Sequence, residues 1–210
     1  MMQSSGDSLA GFFMISCLLG LAPGPDNLYV LTQSALRGRG AGFAVTLGLC
    51  TGLVGHTAAV VLGLAAVLAA SPRALFLLRL CGALYLLWLA WHAFRTTVTA
   101  SGATTGEELS GWQLYRRGIL MNSSNPKVTI FFLAFLPQFV LPDRGPAAVQ
   151  LALLGGLFIA ATLLVFGSIA LLAGLLRELF SRVPAVQLTL QRAAGALFIA
   201  LALKLLLSSP

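Results

Sequence analysis

Long apolar runs separated by short polar connections form the pattern of this 210-residue chain. A transmembrane helix needs about 20 mostly apolar residues, and six stretches meet that length. Runs this long exclude the strands of a membrane barrel, which span with about 9–11 residues. The pattern therefore predicts an all-α membrane protein with six transmembrane helices. Their expected bounds are Leu9–Leu36, Gly42–Ala69, Ala74–Phe94, Leu114–Val140, Ala147–Leu176 and Val186–Leu207.

Polar residues interrupt the first and the fourth stretch at similar depths. The first contains APGPDN and the fourth contains NPK, so that Pro25 and Asp26 align with Pro126 and Lys127. We expect helices 1 and 4 to be broken near the midplane of the bilayer. Each proline should start a half-helix, because the N–H that proline lacks would be unpaired at that position anyway. Asn125, before the second proline, is a good N-cap by residue type.

One polar segment divides the chain into two halves of three helices each. It covers about residues 96–111, between a first half at about 8–95 and a second half at about 112–208. Because three is odd, the second half must cross the membrane in the opposite sense to the first. The matching breaks then predict two inverted three-helix repeats in a single transporter domain. Secondary transporters of this pattern bind substrate at the midplane, between discontinuous helices.

Composition and charge narrow the class further. Hydrophobic residues make up 58% of the chain and charged residues 9%, whereas a soluble domain carries roughly 25% charged residues. The net charge of +7 is not gathered into a basic patch with interleaved aromatics, so we expect no nucleic-acid partner. The partner that the pattern predicts is the lipid bilayer.

The basic residues indicate the orientation of the chain. Eight lie in or beside connections one, three and five, against three on the opposite side, or four with Arg79. The positive-inside rule places the richer side in the cytoplasm, so both termini are predicted outside. The eight are Arg37, Arg39, Arg95, Arg116, Arg117, Arg177, Arg182 and Arg192.

Asp26 and Lys127 are the candidate chemistry, because a charge at the bilayer centre costs about 2.5–3.5 kcal/mol even on a lenient scale. Such residues should pair with each other or line a wet cavity. In one interpretation Asp26 accepts the amino group of a zwitterionic substrate or the coupling proton, and Lys127 holds the substrate carboxylate. Pro23 and Gly24 would interrupt helix 1 so that backbone atoms reach the site. In the other interpretation the two charges form a static ion pair that only fixes helix packing.

The stretches APGPDN and NPKVTIFFLAFLPQF resemble the two signatures of the LysE/RhtB amino-acid exporters, and the second is most similar to the homoserine/threonine branch. The resemblance covers nearly the whole chain. It implies a secondary exporter of amino acids or derivatives in the bacterial inner membrane, driven by the proton gradient and homodimeric. It also implies functional roles for Pro23, Gly24, Pro25, Asp26, Asn125, Pro126 and Lys127. The lysine- and arginine-exporting branch usually lacks the Pro-Lys pair, so neutral substrates such as homoserine, threonine or leucine are favoured.

Other intramembrane polar residues have two interpretations each. His56 either relays protons or binds substrate, or it bonds a backbone carbonyl between packed helices. Asn27 and Asn122 either line the pocket or satisfy backbone groups freed by the breaks. Gly48 and Gly52 have the spacing of close helix packing, which is more often within one subunit than between two.

Competing function classes are weaker. Two histidines and three isolated cysteines provide no metal-ligand cluster, so we expect no metal and no cofactor. No nucleophile–base arrangement or HExxH motif indicates an enzyme. The alternatives that stay open are an ion-conducting channel and a metal-ion transporter of the wider superfamily.

Overall fold

The computed structural model describes residues 5–70, 72–95, 109–173, 175 and 184–207. Every regular element within these residues is helical. Between α6 and α7 the chain forms a π-helical turn, Phe131–Phe135, and two 3-10 turns, Leu136–Phe139 and Pro142–Arg144. The α-helices are α1 (Ser5–Leu21), α2 (Pro25–Arg37), α3 (Arg39–Ala70), α4 (Pro72–Arg95), α5 (Gly111–Ser123), α6 (Pro126–Ile130), α7 (Ala147–Leu171) and α8 (Pro184–Leu207).

These helices provide up to six membrane spans. Four segments are long and apolar enough to cross alone: Arg39–Gly63, Phe76–Arg95, Ala147–Leu171 and Leu188–Leu207. The other two spans are bent pairs. Leu9–Leu21 meets Pro25–Arg37 at 65°, and Gly111–Ser123 meets Pro126–Phe139 at 50°. The predictions of an all-helical membrane protein and of breaks in helices 1 and 4 are confirmed.

Large apolar side chains cover the outside of the bundle. Leu62 is 78% exposed and Leu207 is 79% exposed, and many others along α3, α7 and α8 are also open. Continuous apolar surface of this kind is rare on soluble monomers. The bundle therefore presents a surface suited to lipid.

Glycines allow α3 to pack closely against α5 and α7. A Cβ built on Gly48 would meet the carbonyl oxygen of Tyr115 and the backbone of Gly118. On Gly52 it would lie 2.7 Å from the side chain of Asn122. The predicted close packing at Gly48 and Gly52 is therefore confirmed, and it lies within one subunit.

Helices α4 and α8 form a second packing unit, because each contacts the other more extensively than it contacts any other helix. A Cβ on Gly195 of α8 would lie 2.8 Å from the ring of Phe94 in α4, so this glycine allows the aromatic ring to lie against the helix. The pair contacts the rest of the bundle less extensively, for example where Gly82 of α4 lies against Ala134 of the π-helical turn.

Phenylalanine rings fill the half of the bundle that holds the beginning of α1 and the end of α8. Phe131 and Phe158 are 5.2 Å apart between ring centroids, and Phe12 and Phe139 are 5.0 Å apart. The ammonium nitrogen of Lys204 lies 4.0 Å from the centroid of Phe139, a cation–π contact. This half of the bundle is therefore tightly packed around aromatic side chains.

Several expected bounds were wrong. The fourth helix was expected to run without further interruption to Val140, but α6 ends at Ile130 and a π-helical turn and a 3-10 turn follow. Pro137 accounts for this, because proline has no N–H and its ring clashes with the carbonyl four residues earlier in an α-helix. Helix α3 begins at Arg39 rather than Gly42, and α7 ends at Leu171 rather than Leu176.

The polar segment between the halves is shorter than expected at its end. Helix α5 already begins at Gly111, because Ser110 and Gln113 form a capping box at its N-terminus. Most of the predicted segment, residues 96–108, lies outside the described residues, as do Arg177 and Arg182.

Candidate functional site

The first break begins where α1 ends at Leu21. Gly24 then adopts an extended conformation, with φ of −167°, and α2 begins at Pro25. The side-chain amide of Asn27 donates a hydrogen bond of 2.6 Å to the carbonyl oxygen of Gly20. This bond satisfies one of the carbonyls that the end of α1 leaves unpaired, and it connects the two half-helices across the break.

The second break lies between α5 and α6. Asn125 is the N-cap of α6, since its Oδ1 accepts a hydrogen bond of 3.0 Å from the backbone N–H of Lys127. Pro126 occupies the first helical position. The predictions that both prolines begin half-helices and that Asn125 is an N-cap are confirmed.

A buried hydrogen bond joins the two breaks. Asn125 Nδ2 donates to Asp26 Oδ2 at 2.7 Å, although the two residues are 99 positions apart in the chain. Asp26 is only 5% exposed, and its other oxygen, Oδ1, has no hydrogen-bond partner among the described residues. A buried carboxylate with one free oxygen is costly to keep ionised, which makes it a candidate for binding a proton.

Lys127 reaches in the opposite direction, from the second break to the first. Its Nζ donates to the carbonyl oxygens of Leu19 at 3.4 Å and Ala22 at 3.5 Å. A Cβ placed on Gly24 would lie 3.6 Å from the same nitrogen. This is an ordinary van der Waals distance, so Gly24 lies directly beside the ammonium group.

The direct ion pair between Asp26 and Lys127 does not form in this structure. Each charge bonds a neutral group of the opposite break: Asp26 the Asn125 amide, and Lys127 the backbone carbonyls. The physical reason is local. Asn125 precedes Pro126 and its amide is already held at the helix start, while the end of α1 supplies carbonyls that need donors.

A cavity of about 290 Å³ lies against both breaks. Residues of the two breaks form one side, with Asn125 and Lys127 as its polar side chains: Pro23, Gly24, Pro25, Asn125, Pro126 and Lys127. Helices α4 and α8 form the facing wall, which includes Tyr85, Trp88, Leu89, His92, Gln191 and Phe198. The large cavity thus lies between the two breaks and the α4–α8 pair.

A much smaller cavity, of about 20 Å³, lies on the other side of the breaks. Asp26, Asn122 and Thr162 provide its polar groups, and α3 and α7 close it with apolar side chains. Lys127 lines both cavities, whereas Asp26 lines the small cavity and Asn125 the large one. The Asp26–Asn125 hydrogen bond therefore connects the walls of two separate spaces.

Comparison with known proteins decides the family. The sequence profile described as "LysE type translocator" matches residues 17–209. The chain belongs to the LysE-type translocator family. As a member of this family, it is a transporter and not an enzyme.

Named relatives of this LysE-type translocator are bacterial. The homoserine/homoserine lactone efflux protein of Salmonella typhimurium (strain LT2) is 32% identical over 187 residues, which cover 89% of this chain and 90% of the relative. An uncharacterized membrane protein of Vibrio cholerae is 31% identical with the same coverage. The leucine efflux protein of Salmonella choleraesuis is 29% identical over 121 residues, 57% of each chain. No solved structure matches the chain significantly.

The remaining candidate residues of this translocator divide between cavity and packing. Asn122 is 3% exposed and lines the small cavity, with its Oδ1 lacking a partner among the described residues. His56 Nε2 lies 3.2 Å from the carbonyl oxygen of Asn122, and the ring packs beside Phe132. His56 lines neither cavity. Its geometry matches the carbonyl-bonding interpretation, as does that of Asn27.

Sequence reasoning missed the wall of the large cavity that α4 and α8 provide. Tyr85, Trp88 and His92 of this wall are not among the candidates that the sequence indicated. Gln191 carried a usable signal, because an amide in an otherwise apolar span is costly unless it has a partner. Which cavity it faces could not be deduced from the sequence, since that depends on how α8 packs against α4.

Proposed function

We propose that this LysE-type translocator is a secondary active exporter of small neutral amino acids or their derivatives, coupled to the proton gradient of the bacterial inner membrane. The observation that carries the proposal is the position of Lys127. A basic side chain within a membrane span, whose hydrogen bonds in the described part of the chain are all to backbone carbonyls, lines a cavity large enough for an amino acid. Charged residues inside membrane proteins commonly mark substrate or ion pathways.

The polar side of the large cavity suits a zwitterion. A substrate carboxylate would take the ammonium of Lys127, forming a charge-assisted hydrogen bond. The carbonyl oxygen of Ala22, now held by Lys127 at 3.5 Å, lies beside Gly24 of this cavity and would then be free to accept a hydrogen bond from the substrate ammonium. A single movement of the Lys127 side chain would thus make both its ammonium group and the carbonyl that it releases available to the substrate.

Asp26 is assigned to the coupling proton rather than to the substrate amino group. Its carboxylate lines the small cavity and not the large one. The Asn125 amide, which Asp26 Oδ2 accepts from at 2.7 Å, lines the large cavity. Protonation of Asp26 would weaken that bond, because a neutral acid is a poorer acceptor than a carboxylate. Proton binding at Asp26 and substrate binding in the large cavity would then be coupled through Asn125, although the proton and the substrate bind different groups.

The names of the relatives agree with a neutral substrate. Proteins named for efflux of homoserine and homoserine lactone match nearly the whole chain, and proteins named for leucine efflux match over half of it. Within the described part of the chain, the lining of the large cavity contains no acidic residue. A lysine-like or arginine-like side chain would find no counter-charge there.

Helix packing is consistent with two inverted repeats. If helices 1, 2 and 3 correspond to helices 4, 5 and 6, the contact of α3 with α5 corresponds to that of α7 with α1, and both are present. The predicted topology then places the large cavity toward the cytoplasm, since it is lined by Trp88 and His92 near the end of α4. The homodimer implied by the family resemblance stays a prediction.

The test is transport into inverted membrane vesicles, where export appears as uptake. Labelled homoserine, threonine, leucine and lysine would be supplied with the proton gradient intact and then collapsed. We expect saturable, gradient-dependent uptake of neutral amino acids. Lys127→Ala should lower it roughly tenfold or more, because it removes a bond to a charged group worth about 1.5–3 kcal/mol. Asp26→Asn should abolish the response to the gradient.

Matched variants separate these effects from general damage. Arg144→Gln and Asp143→Asn each change an exposed charged residue that lines neither cavity. Both should transport normally when expressed at equal levels. Normal uptake by Lys127→Ala would remove Lys127 from the site. Flux that neither saturates nor depends on the gradient would indicate a channel instead.

A further inference from the structure

The wall of the large cavity facing the breaks is mostly apolar or aromatic. Tyr85, Trp88 and Leu89 come from α4, and Ala194 and Phe198 come from α8. A substrate whose charged ends lie against Lys127 and the carbonyl of the first break would direct its side chain toward this wall. The wall is therefore where one amino acid can be distinguished from another.

Gln191 is the amide on this wall. Its Oε1 is buried and accepts no hydrogen bond from any group in the described residues. Because Oε1 is closed to a water-sized molecule in this structure, the Gln191 amide must turn toward the cavity to meet a ligand, and this turn breaks no hydrogen bond to Oε1. Leaving a buried acceptor unpaired is unfavourable, so a ligand that donates a hydrogen bond to Oε1 gains over one that does not. Gln191 is also uncharged, and it lies in a cavity that already contains the positive charge of Lys127.

We propose that Gln191 is the specificity-determining residue of this translocator and accepts a hydrogen bond from a hydroxyl on the substrate side chain. The site then favours small hydroxylated neutral amino acids over aliphatic ones of equal size. A binding site that contains an unpaired polar group rejects the analogue without the hydroxyl more strongly than an apolar pocket rejects an added hydroxyl. The inference rests on the proposed function, because it assumes an amino acid in the large cavity.

Threonine and valine are the probes, because they have nearly the same shape and differ in a hydroxyl against a methyl. Uptake of both would be measured in inverted vesicles containing the full-length protein. The wild type should prefer threonine, and Gln191→Leu should lower the threonine-to-valine ratio by about tenfold. Gln191→Asn keeps the amide but withdraws it by one methylene, so it should give an intermediate ratio.

Two further variants sharpen the test. Gln191→Glu supplies the negative charge that the wall lacks, so it should raise lysine uptake relative to threonine. Gln138→Leu changes a glutamine that bonds the carbonyl of Ala134 and lines neither cavity, so it should leave the ratio unchanged. Thermal stability of each purified variant would verify that it is folded.

The outcomes separate the inference from the proposed function. An unchanged threonine-to-valine ratio in Gln191→Leu and Gln191→Asn, with uptake retained, would overturn the role of Gln191 and leave the exporter proposal standing. Equal loss of both amino acids from folded Gln191→Leu protein would also overturn it, since Gln191 would then bind a group common to both substrates. No uptake of any amino acid by the wild type would contradict the proposed function itself.

Discussion

Asn125 performs three tasks with one side chain. Its Oδ1 caps α6 through the N–H of Lys127, its Nδ2 donates to Asp26, and it lines the large cavity. A helix cap alone could be supplied by serine, threonine or aspartate. The donor to Asp26 requires an amide at this position. The second break therefore requires the capping oxygen and the first break requires the donor, and asparagine supplies both.

The capping oxygen of Asn125 and its donor to Asp26 predict different effects for two substitutions. Asn125→Ser keeps a capping oxygen but loses the donor to Asp26. We expect it to fold and to transport poorly, because Asp26 loses its hydrogen-bond partner. Asn125→Ala loses the cap as well and should be less stable by about a further 1 kcal/mol. Thermal unfolding in detergent and vesicle uptake would measure the two effects separately.

Asn125→Asp provides the control. It keeps the capping oxygen, but its second oxygen would face Asp26 as a like charge, so at neutral pH one of the two carboxyls must bind a proton. Uptake by this variant should therefore depend on pH more steeply than wild-type uptake. If Asn125→Ser transports as well as the wild type, the hydrogen bond to Asp26 is not part of coupling.

The charged residues were predictable from the sequence, but their partners were not. Asp26 and Lys127 stand out because charges are rare in apolar spans. Their bonding depends on the bends of 65° and 50° at the two breaks, and no local pattern determines those angles. Of the arrangements that the sequence left open, the structure shows no direct ion pair, and it bonds Asp26 to an amide and Lys127 to backbone carbonyls.

Helices α3 and α5 approach closely because both carry glycine where they meet. A Cβ on Gly48 would collide with backbone atoms of Tyr115 and Gly118, which cannot move as a side chain can. This contact also positions Asn122, since Gly52 packs against it one turn further along. The small cavity beside Asp26 therefore depends on glycines in a neighbouring helix.

We predict that Gly48→Ala lowers the melting temperature and reduces uptake, because α5 must shift away from α3. Gly55→Ala and Gly156→Ala are matched controls. A Cβ at either position meets nothing within 4 Å, and alanine favours helix over glycine by up to about 1 kcal/mol. These variants should be as stable as the wild type or more so. Equal melting temperatures for Gly48→Ala and the controls would contradict the close contact.

At the scale of elements, local signals were more reliable than tertiary ones. The prolines, the Asn125 cap and the glycine spacing in α3 each act within a few residues, and the structure confirms them. The π-helical turn before Pro137 was not predicted, because the apolar residues Phe131–Phe135 have the same pattern as a continuous transmembrane helix. The contribution of α4 and α8 to the large cavity was missed because it is tertiary, and the uniformly apolar pattern of these helices does not indicate which face meets another helix.

The whole molecule is asymmetric between its two ends. The large cavity lies against the breaks and extends along α4 to His92, whereas the opposite end is closed by phenylalanine rings and the Lys204 contact with Phe139. If the protein exports by alternating access, as we propose for a secondary exporter, the large cavity must close and the aromatic end must open during the cycle. The α4–α8 pair is the natural moving part, because it packs mainly within itself and forms one wall of the cavity.

This asymmetry predicts from which side the cavity can be reached. A cysteine at Ala93, which lines the large cavity, would be introduced after replacing Cys17, Cys50 and Cys81. A membrane-impermeant thiol reagent should modify it in inverted vesicles, where the cytoplasmic face is outward, and much less in right-side-out vesicles. Added substrate should slow the modification, because it occupies the same cavity.

A cysteine at Ala196 tests whether labelling reports the cavity rather than the membrane surface. This residue is exposed on α8 but does not line the large cavity, so it should face lipid and react slowly from either side. Preferential labelling at Ala93 in right-side-out vesicles would reverse the predicted topology, with both termini then in the cytoplasm. Such a result would also mean that the cavity in this structure is the release side of the transport cycle, and that the aromatic end must open to load substrate.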